Sequence, residues 1–353
     1  MHIIDTDVLS NGIVTVVREL SIAQRNIGHH TISINVRKNS IYIQDFEQIR
    51  TKKLFRHKLK EYNPDIVVFH GLLYTKILSL SSIVFENKIP YLLMPHGAYS
   101  EMNYEKNKIK KYLFKHIFLS SPIKHSQGWI FLNEAEKNNF TLPNKSKSII
   151  IPNGCYPQEN FTPNNEIIKI LFIGRFDIFH KGLDLLIDGI NAFLMQNDNN
   201  LVEFDFYGEG TSHDLSFLRK KIANIPKIKI HNPVFGQEKT KVFIETDIII
   251  LTSRLEGFPM SILEGWSYGI PSIVSEGTNI SDIVVNNNCG WVIEKNENNS
   301  IANTIATAVN QYKENKYNIR SNAFTTALKF QWNNIAKISI ENYNSIIQNY
   351  QNR

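Results

Sequence analysis

Glu256 and Glu264 stand eight residues apart in the run from Asp247 to Ser275, where an apolar stretch gives way to a loop and then to a helical pattern. Ile248 to Leu251 is short and β-branched, which reads as a buried parallel strand. Thr252 to Phe258 is then a loop loosened by Gly257, and Pro259 suits the first position of a helix reaching about Tyr268, where Gly269 and Pro271 stop it. Backbone donors from Phe258 past Pro259, Met260 and Ser261 to Ile262 thereby fall at a helix N-terminus, a place that favours phosphate. Two carboxylates beside a phosphate repel it, so they serve something neutral. Vicinal hydroxyls fit, because each carboxylate oxygen accepts strong hydrogen bonds from sugar OH groups.

A second cluster carries the opposite charge. Ile167 to Ile173 is an apolar run ending in Gly174-Arg175, followed by Lys181-Gly182 and the helical pattern LDLLIDGINAFL. Strand, glycine turn, two cations and helix form a phosphate cradle in which Arg175 offers a planar fork and Lys181 a mobile point charge. Two further strands end in His-Gly, at His70-Gly71 and His96-Gly97. A histidine at a strand's C-terminal end is well placed to hydrogen-bond a sugar.

The stretch Glu256-Gly257-Phe258-Pro259, with Leu263-Glu264 and Gly269-Ile270-Pro271, resembles the E-x7-E signature of retaining family 4 glycosyltransferases of GT-B fold. The resemblance implies that Glu256 contacts the donor hexose and Glu264 the nucleoside ribose. Gly174-Arg175 and Lys181-Gly182 look like the family's diphosphate clamp, and Gly208 like its turn glycine. Pro233-Val234-Phe235-Gly236 matches the region whose main chain reads the nucleobase, so Val234 and Gly236 join the expected donor contacts, with uracil the expected base. MPHGA resembles the family's PHG element, and His96 is therefore preferred over His70 beside the transferred sugar. Gly12 matches a glycine-rich loop near the donor phosphates, although the chain has Asn11 where a second glycine is common.

These elements call for an α/β architecture. Strand patterns at His2 to Ile4, Thr31 to Val36, Ile66 to Phe69, Tyr91 to Met94 and Gly128 to Leu132 alternate with helices, and the alternation restarts after the Pro- and Asn-rich run Ile149 to Pro163. The expected fold is GT-B: two Rossmann-like, doubly wound domains facing across a cleft. Residues 1–155 would form the acceptor domain and 156–332 the nucleotide-sugar domain, with the helix of 333–353 crossing back to the first.

Composition sets the remaining expectations. The chain has 353 residues, 42% of them hydrophobic, enough for two domains of ordinary size. Two cysteines, Cys155 and Cys289, make neither a disulfide framework nor a metal site. Asp5-Thr6-Asp7 superficially resembles a metal-binding D-x-D, but Arg175 and Lys181 are available to neutralise phosphate, and no metal or other cofactor is expected; the nucleotide diphosphate-sugar is a co-substrate. The N-terminus lacks the pattern of a signal peptide, so the expected location is cytoplasmic. The net charge is +6, with six lysines between Tyr104 and Lys124 and six cations between Arg50 and Lys60. Basic amphipathic segments of this kind suit an anionic membrane surface, and without a nucleic-acid motif they do not suggest nucleic acid. The expected activity is transfer of a hexosyl unit from a nucleotide diphosphate-sugar to a glycan or lipid-linked acceptor; a nucleotide-sugar epimerase or a non-catalytic partner subunit on the same fold are the alternatives.

Overall fold

The computed structural model describes residues 1–6, 12–37, 42–71, 75–97, 120–143, 147–158, 166–196 and 201–352. Asp7, Asn11 and the basic run from Tyr104 as far as Leu119 lie outside the described residues. The chain divides into two compact units, one of Met1–Gly154 with Trp332–Arg353 and one of Cys155–Gln331.

The first unit contains β1 (His2–Ile4), α1 (Gly12–Asn26), β2 (Ser33–Asn35), β3 (Glu47–Gln48), α2 (Lys52–Tyr62), β4 (Val67–His70), α3 (Thr75–Glu86), β5 (Tyr91–Met94), α4 (Ser120–His125), β6 (Gly128–Phe131), α5 (Glu134–Asn139) and β7 (Ser148–Ile150). Its strands form one parallel sheet in the order β3-β2-β1-β4-β5-β6-β7. The central strands are buried along their whole length, as β-branched and aromatic runs such as Val67–His70 require.

The second unit contains β8 (Ile168–Ile173), α6 (Leu183–Gln196), β9 (Val202–Tyr207), α7 (Ser212–Ile222), β10 (Ile228–His231), α8 (Gly236–Ile244), β11 (Ile248–Leu251), α9 (Met260–Ser267), β12 (Ser272–Ser275), α10 (Ser281–Asn286), β13 (Gly290–Ile293) and α11 (Asn298–Lys329). Its sheet is again parallel, ordered β10-β9-β8-β11-β12-β13. α6 buries Leu183, Leu186, Ile187, Ile190 and Phe193, the spacing of one helical face. α11 is bent at Asn315, whose φ of −131° is not helical.

Both sheets are doubly wound: the strand order reverses between β1 and β4 and again between β8 and β11. Ligands in such sheets bind at that switch, outside the carboxyl ends of the strands. α12 (Trp332–Gln351) belongs to the first unit, where it buries Trp332, Ile335, Ala336, Ser339 and Tyr343. Trp332 lies against Gly154, where a Cβ would come within 2.5 Å of the indole, so only glycine fits. No helix among the described residues is long and apolar enough to cross a membrane.

Candidate active site

The loops at the carboxyl ends of β8, β9 and β11 are laced together. Gly174 donates its N–H to Tyr207 O at 3.0 Å, Phe176 donates to Glu209 O at 2.6 Å, and a Cβ on Gly208 would stand 1.9 Å from Gly174 O. Gly182 takes φ +64° with its missing Cβ 2.2 Å from Thr252 O, so the loop after β8 presses on the end of β11 as only glycine permits. Thr252 Oγ1 completes the seam, bonding to the carbonyls of Lys181 at 3.2 Å and Gly182 at 3.1 Å.

This seam delivers Lys181 to Glu256. Lys181 Nζ donates to Glu256 Oε1, and Ser253 Oγ donates to the same oxygen at 2.8 Å. The glutamate's backbone is equally fixed: its N–H bonds Gly277 O at 2.8 Å, and its carbonyl accepts from Asn279 Nδ2 at 2.6 Å. Both side chains are part-exposed, 19% for Lys181 and 17% for Glu256. An ammonium has three N–H donors and a carboxylate roughly four lone-pair sites, so each keeps capacity for a ligand.

Glu264 is paired with a cation from a different helix. Its Oε2 pairs with Lys239 Nζ at 2.6 Å, bringing α8 against α9. Val234 precedes α8 and Gly236, at φ +53°, is its first residue, five and three residues before this lysine. Arg175 is not joined to either glutamate among the described contacts: its side chain is 71% exposed and pairs with Asp177 at 3.3 Å. Lys181 and Glu256 are therefore in contact, whereas Arg175 stays at the rim.

The helix start also differs from expectation. Pro259 is the N-cap residue, with ψ 115°, and helix α9 opens at Met260. Of the donors expected from Phe258 to Ile262, Pro259 has none, and the Ile262 N–H is taken by Pro259 O at 3.2 Å. Met260 and Ser261 retain N–H groups without a hydrogen-bond partner among the described residues, so the dipole end of α9 rests on these two. Gly257 lies in the part-exposed loop and Phe258 is buried against Phe330 at 5.4 Å.

Sequence reasoning missed several groups here. Arg254 forms a two-pronged pair with Asp184 at 2.7 and 2.8 Å, donates to Phe179 O at 2.9 Å and lies 4.9 Å from the Phe179 ring. Asp177 accepts from the His180 N–H at 3.0 Å and pairs with its Nδ1 at 2.9 Å. Arg254 sits two residues before Glu256, so its place beside the signature was the available signal. Cys155 is buried, and burial first, then the Glu264 charge, pushes its thiol up to about 12, which removes it as a nucleophile.

In the first unit, His96 lies two residues past β5 at φ +53°, and its Nε2 lies 2.9 Å from His70 Nδ1. Gly97 N–H is held by Glu136 Oε1 at 2.6 Å, while Glu136 Oε2 accepts from Leu132 N–H at 2.6 Å. Burial pushes the Glu136 carboxyl up to about 7 against the pull of those two N–H groups. Gly12 opens α1, and among the described residues nothing approaches closely enough there to demand glycine. Asp5 is buried and lies 3.7 Å from Arg37.

Residues 168–311 match the family Glycosyl transferases group 1. An uncharacterized glycosyltransferase of Methanocaldococcus jannaschii is 27% identical over 253 residues, 69% of this chain and 65% of that protein. The lipopolysaccharide 1,6-galactosyltransferase of Escherichia coli is 26% identical over 253 residues, 67% of this chain and 65% of its own. The chain thus spans less than two thirds of either relative. Among solved structures, a glycosyltransferase from Rickettsia africae superposes with TM-score 0.75 at 20% identity, covering 99% of this chain and 98% of that one. HepE of Anabaena in complex with UDP gives TM-score 0.76 at 15% identity, covering 98% and 99%. These likenesses are of fold, and they make the two parallel-sheet units a GT-B pair. The segment that brings Lys181 to Glu256 thus lies within the stretch matching the Glycosyl transferases group 1 family, carried by the second unit.

Proposed function

We propose that the protein is a retaining, metal-independent glycosyltransferase that moves a hexosyl unit from a nucleotide diphosphate-sugar, with UDP as the nucleotide, to a hydroxyl acceptor. The observation that carries this reading is the Lys181–Glu256 contact at the β8/β11 switch point, with Ser253 and two backbone bonds holding the carboxylate still.

Lys181, Arg175 and the N–H groups of Met260 and Ser261 stabilise negative charge on the departing diphosphate, the term that dominates such reactions. Glu256 holds a hexose hydroxyl through its remaining lone pairs, and Glu264 holds the ribose. Arg175, exposed and tied only to Asp177 among the described contacts, is free to swing onto a phosphate oxygen. The acceptor hydroxyl attacks the face the diphosphate leaves, and a donor phosphate oxygen takes its proton. The first unit binds the acceptor, and His96 is its candidate for hydrogen-bonding a sugar.

Two likenesses support the donor and acceptor classes: HepE of Anabaena is described in complex with UDP-glucose, and a relative in Escherichia coli is a lipopolysaccharide galactosyltransferase. The acceptor is accordingly a lipid-linked glycan of bacterial surface polysaccharide synthesis, reached from the cytoplasmic side through the basic runs Arg50 to Lys60 and Tyr104 to Lys124. The test is a screen of nucleotide-sugars for release of nucleoside diphosphate that depends on a glycan acceptor. Release that persists in Glu256→Ala, or conversion of the donor to an epimer without acceptor, would overturn the reading.

A further inference from the structure

A line of hydrogen bonds runs through the core of the first unit from helix α12 to the end of β5. Ser339 Oγ donates to Ala336 O at 2.7 Å, within its own helix. Its proton is therefore committed, and towards Gln24 Nε2, 2.9 Å away, the hydroxyl can only accept. That fixes the Gln24 amide: its nitrogen faces Ser339, and its carbonyl oxygen faces Thr31 Oγ1 at 3.2 Å and His2 Nε2 at 3.0 Å. His2 Nδ1 is 2.8 Å from His70 Nε2, and His70 Nδ1 is 2.9 Å from His96 Nε2. His2, His70 and Gln24 are buried to within 2% of complete enclosure, and His96 is part-exposed at the sheet's carboxyl edge.

We propose that Gln24, His2 and His70 are positioning residues that lock His96 in one tautomer, with its proton on Nε2 and a bare Nδ1 as hydrogen-bond acceptor. The direction follows from the fixed end. A carbonyl oxygen at Gln24 requires a proton on His2 Nε2, which leaves His2 Nδ1 bare. His70 must then donate through Nε2, leaving its own Nδ1 to accept from His96 Nε2. Burial keeps the line neutral, lowering His2 to about 3 and His96 to about 4, with His70 also well below its ordinary value. A charged imidazole would have a proton on both nitrogens and break the sequence of donors and acceptors.

His96 Nδ1 has no hydrogen-bond partner among the described residues. Resting on the glycosyl-transfer reading, this chemistry selects the sugar. An acceptor nitrogen takes a hydroxyl or an amide N–H and rejects a carboxylate, so the contacted position of the hexose carries a free hydroxyl or an acylamino group, and a uronosyl carboxylate there is disfavoured.

The experiment is 15N NMR of the histidine rings in the full chain, with each resonance assigned from single variants. His96 should show a protonated Nε2 and a lone-pair Nδ1, and a proton on Nδ1 overturns the proposal whatever the enzyme does. His70→Phe cuts the line and should give a tautomer mixture at His96, with kcat about tenfold lower, one hydrogen bond's worth. His70→Gln, whose amide can donate to His2 and accept from His96, should restore both the spectrum and the rate. A purely structural role for His70 would leave the His96 spectrum unmoved in the Phe variant. Should that variant not fold, Gln24→Leu releases the far end of the line and must shift the same His96 signals. A shifted tautomer in a protein that transfers no sugar would sink the functional reading and leave the hydrogen-bond line standing.

Discussion

The two units share a doubly wound plan but treat polar side chains at their switch points in opposite ways. In the second, charges of opposite sign meet at a part-exposed rim: Lys181 with Glu256, Lys239 with Glu264, Arg175 with Asp177. In the first, three neutral imidazoles are strung through the interior from Gln24 to His96. Rim ion pairs contribute little to stability and re-partner readily when a charged ligand arrives. A buried neutral line does the reverse, since breaking one link strands a polar group away from water. The second unit is built to exchange partners and the first to hold one arrangement.

The sharpest way to break that contrast is at Lys181. Lys181→Ala should lower transfer roughly 10²- to 10³-fold, the cost of one donor to a developing anion, while the urea midpoint of unfolding stays put; a large stability loss would make the pair structural. Gly182→Ala should act the other way. Its Cβ would meet Thr252 O at 2.2 Å in a left-handed backbone, costing about 1–3 kcal/mol of stability, read from denaturant curves, with activity falling only as the loop shifts.

Acid separates the units further. His2 and His96 are held to about 3 and about 4, below the 6.5 of an unfolded chain. The unfolded state therefore binds more protons as pH falls below 6.5, and the first unit loses stability from there down towards pH 4. Glu136, raised to about 7, works in the opposite sense, its contribution falling as pH rises from 4.5 through 7. Hydrogen exchange at pH 5 should open β1 and β4 roughly tenfold or more relative to neutral pH, without a matching change in β8 and β11. Equal acceleration in both sheets would erase the distinction. The smallest effect belongs to Arg254→Lys, where loss of the two-pronged pair with Asp184 should cost about 1 kcal/mol and leave the Lys181–Glu256 contact intact.

What was legible in the sequence follows the same divide. Glu256, Gly257 and Pro259 are neighbours, and Gly174, Arg175, Lys181 and Gly182 fall within one turn-forming stretch, so local spacing exposes the second unit's candidate site. Lys239 escaped notice because it reaches Glu264 across 25 residues from another helix. In the first unit, His2 meets His70 across 68 residues and Gln24 meets Ser339 across 315, separations that no periodicity records. Fully apolar strands such as Ile248–Leu251 announced themselves, whereas β3 is two polar residues, Glu47–Gln48, made a strand only by pairing with β2. Pro259 caps its helix instead of opening it, one position before the sequence pattern suggests, because its fixed φ suits either side of the boundary.

The tie between Gln24 and Ser339 also sets an order of events during synthesis. A ribosome must finish the second unit before it emits Trp332–Gln351, the segment that closes over α1 and the Gly154 notch. The domain translated earliest is therefore the last to mature, and the nascent chain carries it with an uncovered flank while its younger neighbour is already complete.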